Sequence, residues 1–395
     1  MTYTWIERDE ANILNVYKRL PLVIERGEGS YLIDQNQDRY LDFMTGISVN
    51  NFGYDSGLVE AMTKQMQYYL HLSNSFISEP AVELAENLIQ HTMAKKIFYT
   101  NSGTEATEAA LKMVRKYGNQ RGRSKIYTAV GSFHGRPMGS LALTGQVKYQ
   151  NPFAPMLESV DYFEYNNEKD IEEKLNGEVA AVFIEMVQGE GGVKIMTAGF
   201  LEKLVELSKK HGFLIVVDEA QTGMGRCGKL FAYQAYGFEP DLVTTAKFLG
   251  GGLPLGAVLV GEKLEYTLEK GEHGSTFGGN PVACAGGNYV IKQLLESEFQ
   301  VELQRKSNYL LQKLAGVQNL YPEIIQEIRG MGMMIGLECG VYAESIKALA
   351  LEEKLILNVT HQTVIRLLPS LKISYDEIDF FIEKIESALK KLAQY

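Results

Sequence analysis

Three segments of this chain combine residue types and spacing that could do chemistry. Lys247 sits between the apolar stretch of Asp241-Leu242-Val243 and the turn Gly250-Gly251-Gly252. A lysine held out of water there has its ammonium form penalised, so its pKa falls and the neutral amine can attack a carbonyl. The same position also suits an ordinary solvated lysine. Asp218 ends the apolar run Phe213 to Val217. In an open α/β sheet, ligands bind outside the carboxyl ends of the strands, so a carboxylate there faces the ligand crevice, unless it only caps the following turn. Asn101-Ser102-Gly103-Thr104-Glu105 follows a strand-like run and opens a helical pattern. Free N–H groups and the positive end of a helix dipole there make a cradle for an anion such as phosphate. Ser102 and Glu105 equally fit a capping box.

Two glycine clusters imitate nucleotide loops. Gly223-Met224-Gly225-Arg226-Cys227-Gly228-Lys229 matches both the dinucleotide and the phosphate-loop spacing. The first pattern needs its glycines directly after the strand, yet Asp218 to Thr222 intervene. The second needs Ser or Thr after the lysine, and position 230 is Leu. Gly330 to Gly336 has the wrong spacing and reads as a turn leading into core. His134 has no companions at metal-ligand spacing, so no metal site is expected, and no G-x-S-x-G elbow is present.

These segments need elements to position them. Lys96 to Thr100, Ala180 to Met186 (interrupted by Glu185), Phe213 to Val217 and Asp241 to Val243 are apolar runs. They alternate with helical patterns from Glu105 to Tyr117 and Phe200 to His211. Continuous apolar runs between helices mean strands buried on both faces, hence an α/β unit with a mostly parallel sheet. Upstream, Tyr31 to Asp34 and Arg39 to Phe43 form a hairpin pattern, and Pro80 to Met93 is amphipathic. Downstream, a helix from Asn288 to Leu314, strands near Ile335 to Glu338 and Thr363 to Leu367, and a helix from Asp376 to Leu392 read as a smaller α+β unit. The expected division is 1–45, 46–287 and 288–395, with the first segment joining the third.

At 395 residues and 45% apolar, 22% charged, the chain can bury a core without staples. A net charge of −10 argues against a nucleic-acid partner. The three cysteines make no disulfide framework, which suits a reducing, cytoplasmic setting. No signal segment or membrane span is expected.

Taken in order, six motifs resemble one family. They are Ser102-Gly103-Thr104-Glu105-Ala106, Ser132-Phe133-His134-Gly135-Arg136, Gln188-Gly189-Glu190-Gly191-Gly192, Val217 to Gly223, Ala246-Lys247, and Gly274 to Pro281. This set is similar to the class III aminotransferases along nearly the whole chain. The resemblance implies pyridoxal 5'-phosphate as cofactor and fold type I. Such a fold has a three-layer αβα large domain around a mostly parallel seven-stranded sheet, and a small domain built from both termini. It also implies a homodimer with active sites at the interface.

Carried onto this chain, the family roles are as follows. Lys247 would bond the cofactor covalently and then shuttle a proton. Asp218 would pair with the protonated pyridine nitrogen. Ser102, Gly103 and Thr104 would bind the phosphate, joined by Thr276 from the partner subunit. Phe133 would stack on one face of the ring and Ala220 on the other, with Gln221 on the ring hydroxyl. Arg366 would hold the α-carboxylate of glutamate, with Glu190 pairing to it when the other substrate is bound. Arg136 would take the distal carboxylate of the amino donor, and Ser275 would touch the same substrate. The guanidinium fork suits both arginine roles.

The expected reaction passes the terminal amine of acetylornithine to 2-oxoglutarate. Ornithine, 4-aminobutyrate and succinyldiaminopimelate are the rival donors, an aminomutase the rival reaction, and a non-catalytic cofactor-binding module the rival class. Ile47 stands where enzymes acting on free ornithine carry a tyrosine, which favours an acylated donor. Tyr54 to Gly57, Thr107 and Ser370 depart from the usual pattern without touching a proposed catalytic role.

Overall fold

The computed structural model describes residues 4–393. Its centre is a seven-stranded sheet built from the apolar runs. From edge to edge the strands are Lys96–Thr100, Gly256–Val260, Leu242–Thr245, Leu214–Asp218, Val179–Ile184, Lys125–Ala129 and Val160–Phe163. Gly256–Val260 runs antiparallel to both its neighbours, and the remaining pairings are parallel. Val179–Ile184 and Leu214–Asp218 are buried at every position, as expected where helices cover both faces. One such helix, Gly103–Asn119, buries Ala106, Ala109, Ala110 and Val114 against the sheet. Another, Ala198–His211, stops at Gly212, whose φ of 74° is open to glycine and costly for other residues.

The N-terminal hairpin Tyr31–Asp34 and Arg39–Asp42 joins a four-stranded sheet whose last member, Leu355–Ile356, comes from the far end of the chain. A second four-stranded sheet holds Glu327–Met331, Met334–Glu338, Val364–Leu367 and Asn358–Thr360. The single helix expected from Asn288 to Leu314 is instead two. Pro281–Leu295 begins earlier, where Asn280 caps the free N–H groups of Val282 and Ala283 and Pro281 fills the first turn. It ends at Glu296, whose extended backbone (φ −64°, ψ 125°) separates it from Ser297–Leu320.

The glycine-rich loop at 223–228 has a structural purpose. A Cβ on Gly332 would lie 2.5 Å from the Cys227 backbone, so the loop packs directly on the turn of the C-terminal hairpin. Between them the fully buried Arg226 donates to the carbonyls of Met333 and Pro369, to Ser48 and Thr45 hydroxyls, and to Asn51 Oδ1. Burial pushes its pKa down to about 9. Its acceptors at Thr45 and Ser48 lie in a turn where Thr45, Gly46, Ile47 and Ser48 all have φ between 44° and 65°. Left-handed backbone at β-branched residues is costly, so the contacts around it must hold it. The Asp42 carboxylate adds two, accepting from the N–H groups of Met44 and Thr45. Among the described residues no helix is long and apolar enough to cross a membrane.

Candidate active site

A cavity of about 250 Å³ opens at the carboxyl ends of the central strands. It is lined by Gly103, Thr104, Phe133, Arg136, Glu190, Asp218, Ala220, Gln221 and Lys247 among others, so nine of the residues singled out from sequence meet there. Asp218 reaches it as the last residue of its strand. Lys247 follows the neighbouring strand Leu242–Thr245. Its own φ of 52° turns the chain sharply into the glycine bend that ends at Gly251.

The Lys247 amine has no ion-pair or hydrogen-bond partner among the described residues. Burial pushes its pKa down to about 8, with the charge of Arg366 adding to the shift and Glu190, Asp218 and Glu185 opposing it. Half of such amines are neutral and nucleophilic near that pH. Asp218 is buried, and its carboxylate accepts from the Ala220 N–H at 2.9 Å and meets His134 Nδ1 at 2.8 Å. Gly103 opens the helix below the cavity. A Cβ there would stand 3.1 Å from the Ala220 Cβ and narrow the gap.

Arg366 is buried behind the lining residues. It donates to Glu190 Oε1 at 2.7 Å, to Gln221 Oε1 at 3.0 Å and twice to Asn358 Oδ1. Burial pushes the Glu190 carboxyl up, but the Arg366 charge and hydrogen bond outweigh it and hold its pKa below the usual range. Arg136 is exposed at the rim, stacked over the Tyr149 ring at 4.0 Å. No carboxylate pairs with it among the described residues.

Three of the residues singled out from sequence, Ser102, Ser275 and Thr276, lie outside this cavity. Ser102 is not a lining residue: its hydroxyl accepts from the Glu105 N–H and caps the helix. The capping box is incomplete, because the Glu105 carboxylate turns back to Asn101 rather than to Ser102. Ser275 and Thr276 line a separate cavity with Thr100, Asn101 and Glu105, so within one chain they stand apart from Lys247.

Two lining residues escaped the sequence reading. His134 was weighed only as a metal ligand, yet it is the partner of Asp218. Glu185, buried beside Asp218, announced itself as the one charged interruption in an otherwise apolar run. Among the described residues no group of His, Cys, Asp and Glu is placed to hold a metal.

The donor set fits pyridoxal phosphate. A lysine without a partner and a buried carboxylate face one cavity. Phe133 and Ala220 offer apolar surface, and a helix N-terminus opens beneath.

The comparisons with known proteins agree. The family model for aminotransferase class-III matches residues 13–389. An acetylornithine aminotransferase of Archaeoglobus fulgidus is 42% identical over 96% of this chain and 98% of its own length. One from Clostridium acetobutylicum is 39% identical over 96% of this chain and 99% of its own. Among solved structures, the N-acetylornithine aminotransferase of Stenotrophomonas maltophilia K279a superposes with a TM-score of 0.84 at 34% identity, covering 96% of this chain and 98% of that one. An ornithine aminotransferase of Toxoplasma gondii, whose crystals showed partial occupancy of PLP, reaches 0.92 at 26% identity, covering 98% of this chain and 94% of that one. With the family model matched over residues 13–389 and relatives at about 40% identity along nearly the whole chain, the chain belongs to the class III aminotransferases, enzymes that work with pyridoxal phosphate.

Proposed function

We propose that this aminotransferase moves the terminal amine of N-acetylornithine to 2-oxoglutarate, as a step of arginine biosynthesis in the cytoplasm. The observation that carries the two-substrate reading is the ion pair of Arg366 with Glu190, 2.7 Å apart. A site serving two substrates in turn must present a carboxylate-binding fork to one and hide it from the other. With an amine donor in place, Glu190 neutralises Arg366. With a 2-oxo acid in place, Glu190 yields and the guanidinium takes the α-carboxylate bidentately. Arg136, exposed and without a carboxylate partner, suits the distal carboxylate of the donor. The donor identity is supported by the relatives called acetylornithine aminotransferase at 37–42% identity over nearly the full chain.

Bound pyridoxal phosphate supplies the carbonyl carbon that receives the amine and an electron sink that acidifies the adjacent C–H. The chain supplies the rest. Lys247 would bond the cofactor and, once released, would carry a proton to and from the substrate carbon. Asp218 would hold the ring nitrogen protonated. Phe133 and Ala220 would offer apolar surface to the ring, and Gln221 would hydrogen-bond its hydroxyl. Gly103 and Thr104, with the neighbouring Ser102, would receive the phosphate at the helix N-terminus.

The working unit in this reading is a homodimer. Thr276 is exposed, away from its own Lys247. Phe277 follows it, and the segment 68–77, joined to this region by Asn74 on the Ser275 carbonyl and Asn280 on the Leu70 carbonyl, carries Tyr68, Leu70, Phe76 and Ile77; all five are more than half exposed, apolar surface suited to a second copy. Across that interface Thr276 and Ser275 would complete the partner's site. The division at about residues 45 and 287 is supported by the parallel pairing of Arg39–Asp42 with Leu355–Ile356.

The test is a donor panel with 2-oxoglutarate as acceptor, comprising acetylornithine, ornithine, 4-aminobutyrate and succinyldiaminopimelate. Acetylornithine should give the highest kcat/KM. Equal or better turnover of ornithine would refute the donor while leaving the aminotransferase reading in place.

A further inference from the structure

Glu185 is a buried carboxyl in the cavity to which no role has yet been assigned. The parallel strands Val179–Ile184 and Leu214–Asp218 are in register, with Ile184 opposite Val217. Their next residues, Glu185 and Asp218, therefore stand side by side at the carboxyl end of the sheet. Each is 8% exposed and both line the cavity. Asp218 has His134 Nδ1 at 2.8 Å to support its charge. Glu185 has no such support. Its Oε2 accepts the backbone N–H of Phe133 at 3.1 Å, and no described residue bonds its Oε1.

The charges around it do not favour an anion. Asp218 and Glu190 repel it, and Lys247 is the cation that opposes them. His134, Arg136 and Tyr165 are the other titratable neighbours. Of these, the Tyr165 hydroxyl donates to the Glu185 backbone carbonyl and not to its carboxyl. Two adjacent carboxyls sharing a dry site cannot both ionise, and Glu185, with one donor where Asp218 has a partner on each oxygen, keeps the proton.

We propose that Glu185 is a positioning residue that works as an uncharged acid: its carbonyl oxygen anchors the Phe133 backbone, and its hydroxyl, on Oε1, donates into the cavity. The negative charge facing the ring then rests with Asp218. Burial, with the Asp218 charge as the next cause, holds the Glu185 pKa well above the usual carboxylate range, in keeping with that arrangement. Phe133, anchored this way, presents its ring to the cavity wall.

The amide of glutamine reproduces a neutral acid in shape, with one oxygen to accept from Phe133 and one N–H to donate. Glu185→Gln should therefore keep both half-reaction rates within about threefold of wild type. It should also leave unchanged the pH at which the bound-cofactor absorbance titrates, because no charge has been removed. Glu185→Ala should lose roughly tenfold in cofactor affinity, since the Phe133 N–H is left unpaired. Infrared spectra of the cofactor-free protein at pH 7 should show a protonated-carboxyl band that is missing from Glu185→Gln. That readout does not depend on the pyridoxal-phosphate reading on which the other two rest. An absent band, or a shifted titration with a tenfold slower Glu185→Gln enzyme, would show that Glu185 is ionised and overturn the proposal. Unchanged cofactor affinity in a folded Glu185→Ala would overturn the anchoring role.

Discussion

His134 Nδ1 lies 2.8 Å from Asp218 Oδ2, with both side chains buried and the imidazole edge-on to Phe183. The bond fixes the carboxylate plane, and the Ala220 N–H holds the other oxygen. His134 thus acts through Asp218 and need not touch substrate. Among the described residues its buried Nε2 has no partner, so its position is set from the Asp218 side.

Removing either member should slow the reaction to different degrees. Asp218→Asn deletes the charge that would keep the ring nitrogen protonated, and a loss of roughly a thousandfold in kcat is expected. His134→Phe leaves the charge but frees it to turn, so a loss of about tenfold is expected. Because the two act as a unit, the double variant should be no slower than Asp218→Asn alone. Single-turnover absorbance kinetics of all three variants would measure this, and additive losses would contradict it.

Lys247→Met should abolish turnover yet stabilise the cofactor-free protein near neutral pH. The lysine pKa falls from 10.5 to about 8 on folding, so the folded state resists its charge. Below pH 8 both states are protonated and the full penalty, roughly 3 kcal/mol, is present. It fades as pH rises from 8 towards 10.5, where both are neutral. Denaturant midpoints of the two proteins should therefore converge with rising pH. Borohydride reduction of the wild-type holoenzyme should fix the cofactor on Lys247 and on no other lysine.

Much of this was legible in sequence, and the reasons for the exceptions are physical. Apolar runs located the strands because burial on both faces leaves a strong signature; Asp218 stood out at the end of one of them, and Lys247 between another and a glycine turn. His134 and Glu185 did not, since their meaning comes from neighbours on other strands. The glycine loop looked like a phosphate binder because close backbone approach needs the same residues whether the approaching group is phosphate or the turn at Gly332. Nothing in Thr45-Gly46-Ile47-Ser48 announced a left-handed turn. β-Branched residues disfavour that backbone, and the contacts that impose it come from Asp42, Arg226 and Leu368. Thr276 could not be placed near Lys247 within one chain because it faces outward.

Arg226→Met should cost more than about 3 kcal/mol of stability. It leaves the acceptors at Ser48, Thr45, Asn51, Met333 and Pro369 without their donor in a dry interior. It also releases the turn that carries Ile47. Arg226→Lys should recover less than half of that loss, because an ammonium cannot reach both sides of the joint as a planar fork does. Chemical denaturation of the holoenzymes is the measurement. A loss below about 1 kcal/mol for Arg226→Met would mean the left-handed turn holds itself.

If Thr276 completes the partner's site, two defective chains should repair each other. A heterodimer of Lys247→Ala and Thr276→Ala chains has one pocket lacking both residues and one pocket keeping both. Mixed dimers isolated with two affinity tags should regain up to half of wild-type activity per dimer. Activity no higher than that of the two parent homodimers would place Thr276 outside the shared site.

The two arginines should separate the half-reactions. Arg136 stands exposed at the rim, stacked on Tyr149, and would receive the distal carboxylate of the donor. Arg366 is buried and already paired with Glu190, so it would receive the α-carboxylate of the acceptor once Glu190 yields. Lysine in either place keeps a charge but loses the bidentate fork. Arg136→Lys should therefore lower kcat/KM for acetylornithine by about tenfold or more while changing the 2-oxoglutarate half-reaction less. Arg366→Lys should do the reverse, and more severely, because its partners Glu190, Gln221 and Asn358 are arranged around a planar group. Free ornithine supplies a sharper contrast. Its α-ammonium would meet apolar Ile47, and an unpaired charge there is costly, so acetylornithine should be preferred by roughly one to two orders of magnitude. Replacing Ile47 with Tyr should narrow that gap by offering the ammonium a hydroxyl. Stopped-flow absorbance of each half-reaction, donor by donor, reads all of these directly. A gap that stayed the same in a folded Ile47→Tyr enzyme would remove Ile47 from donor selection.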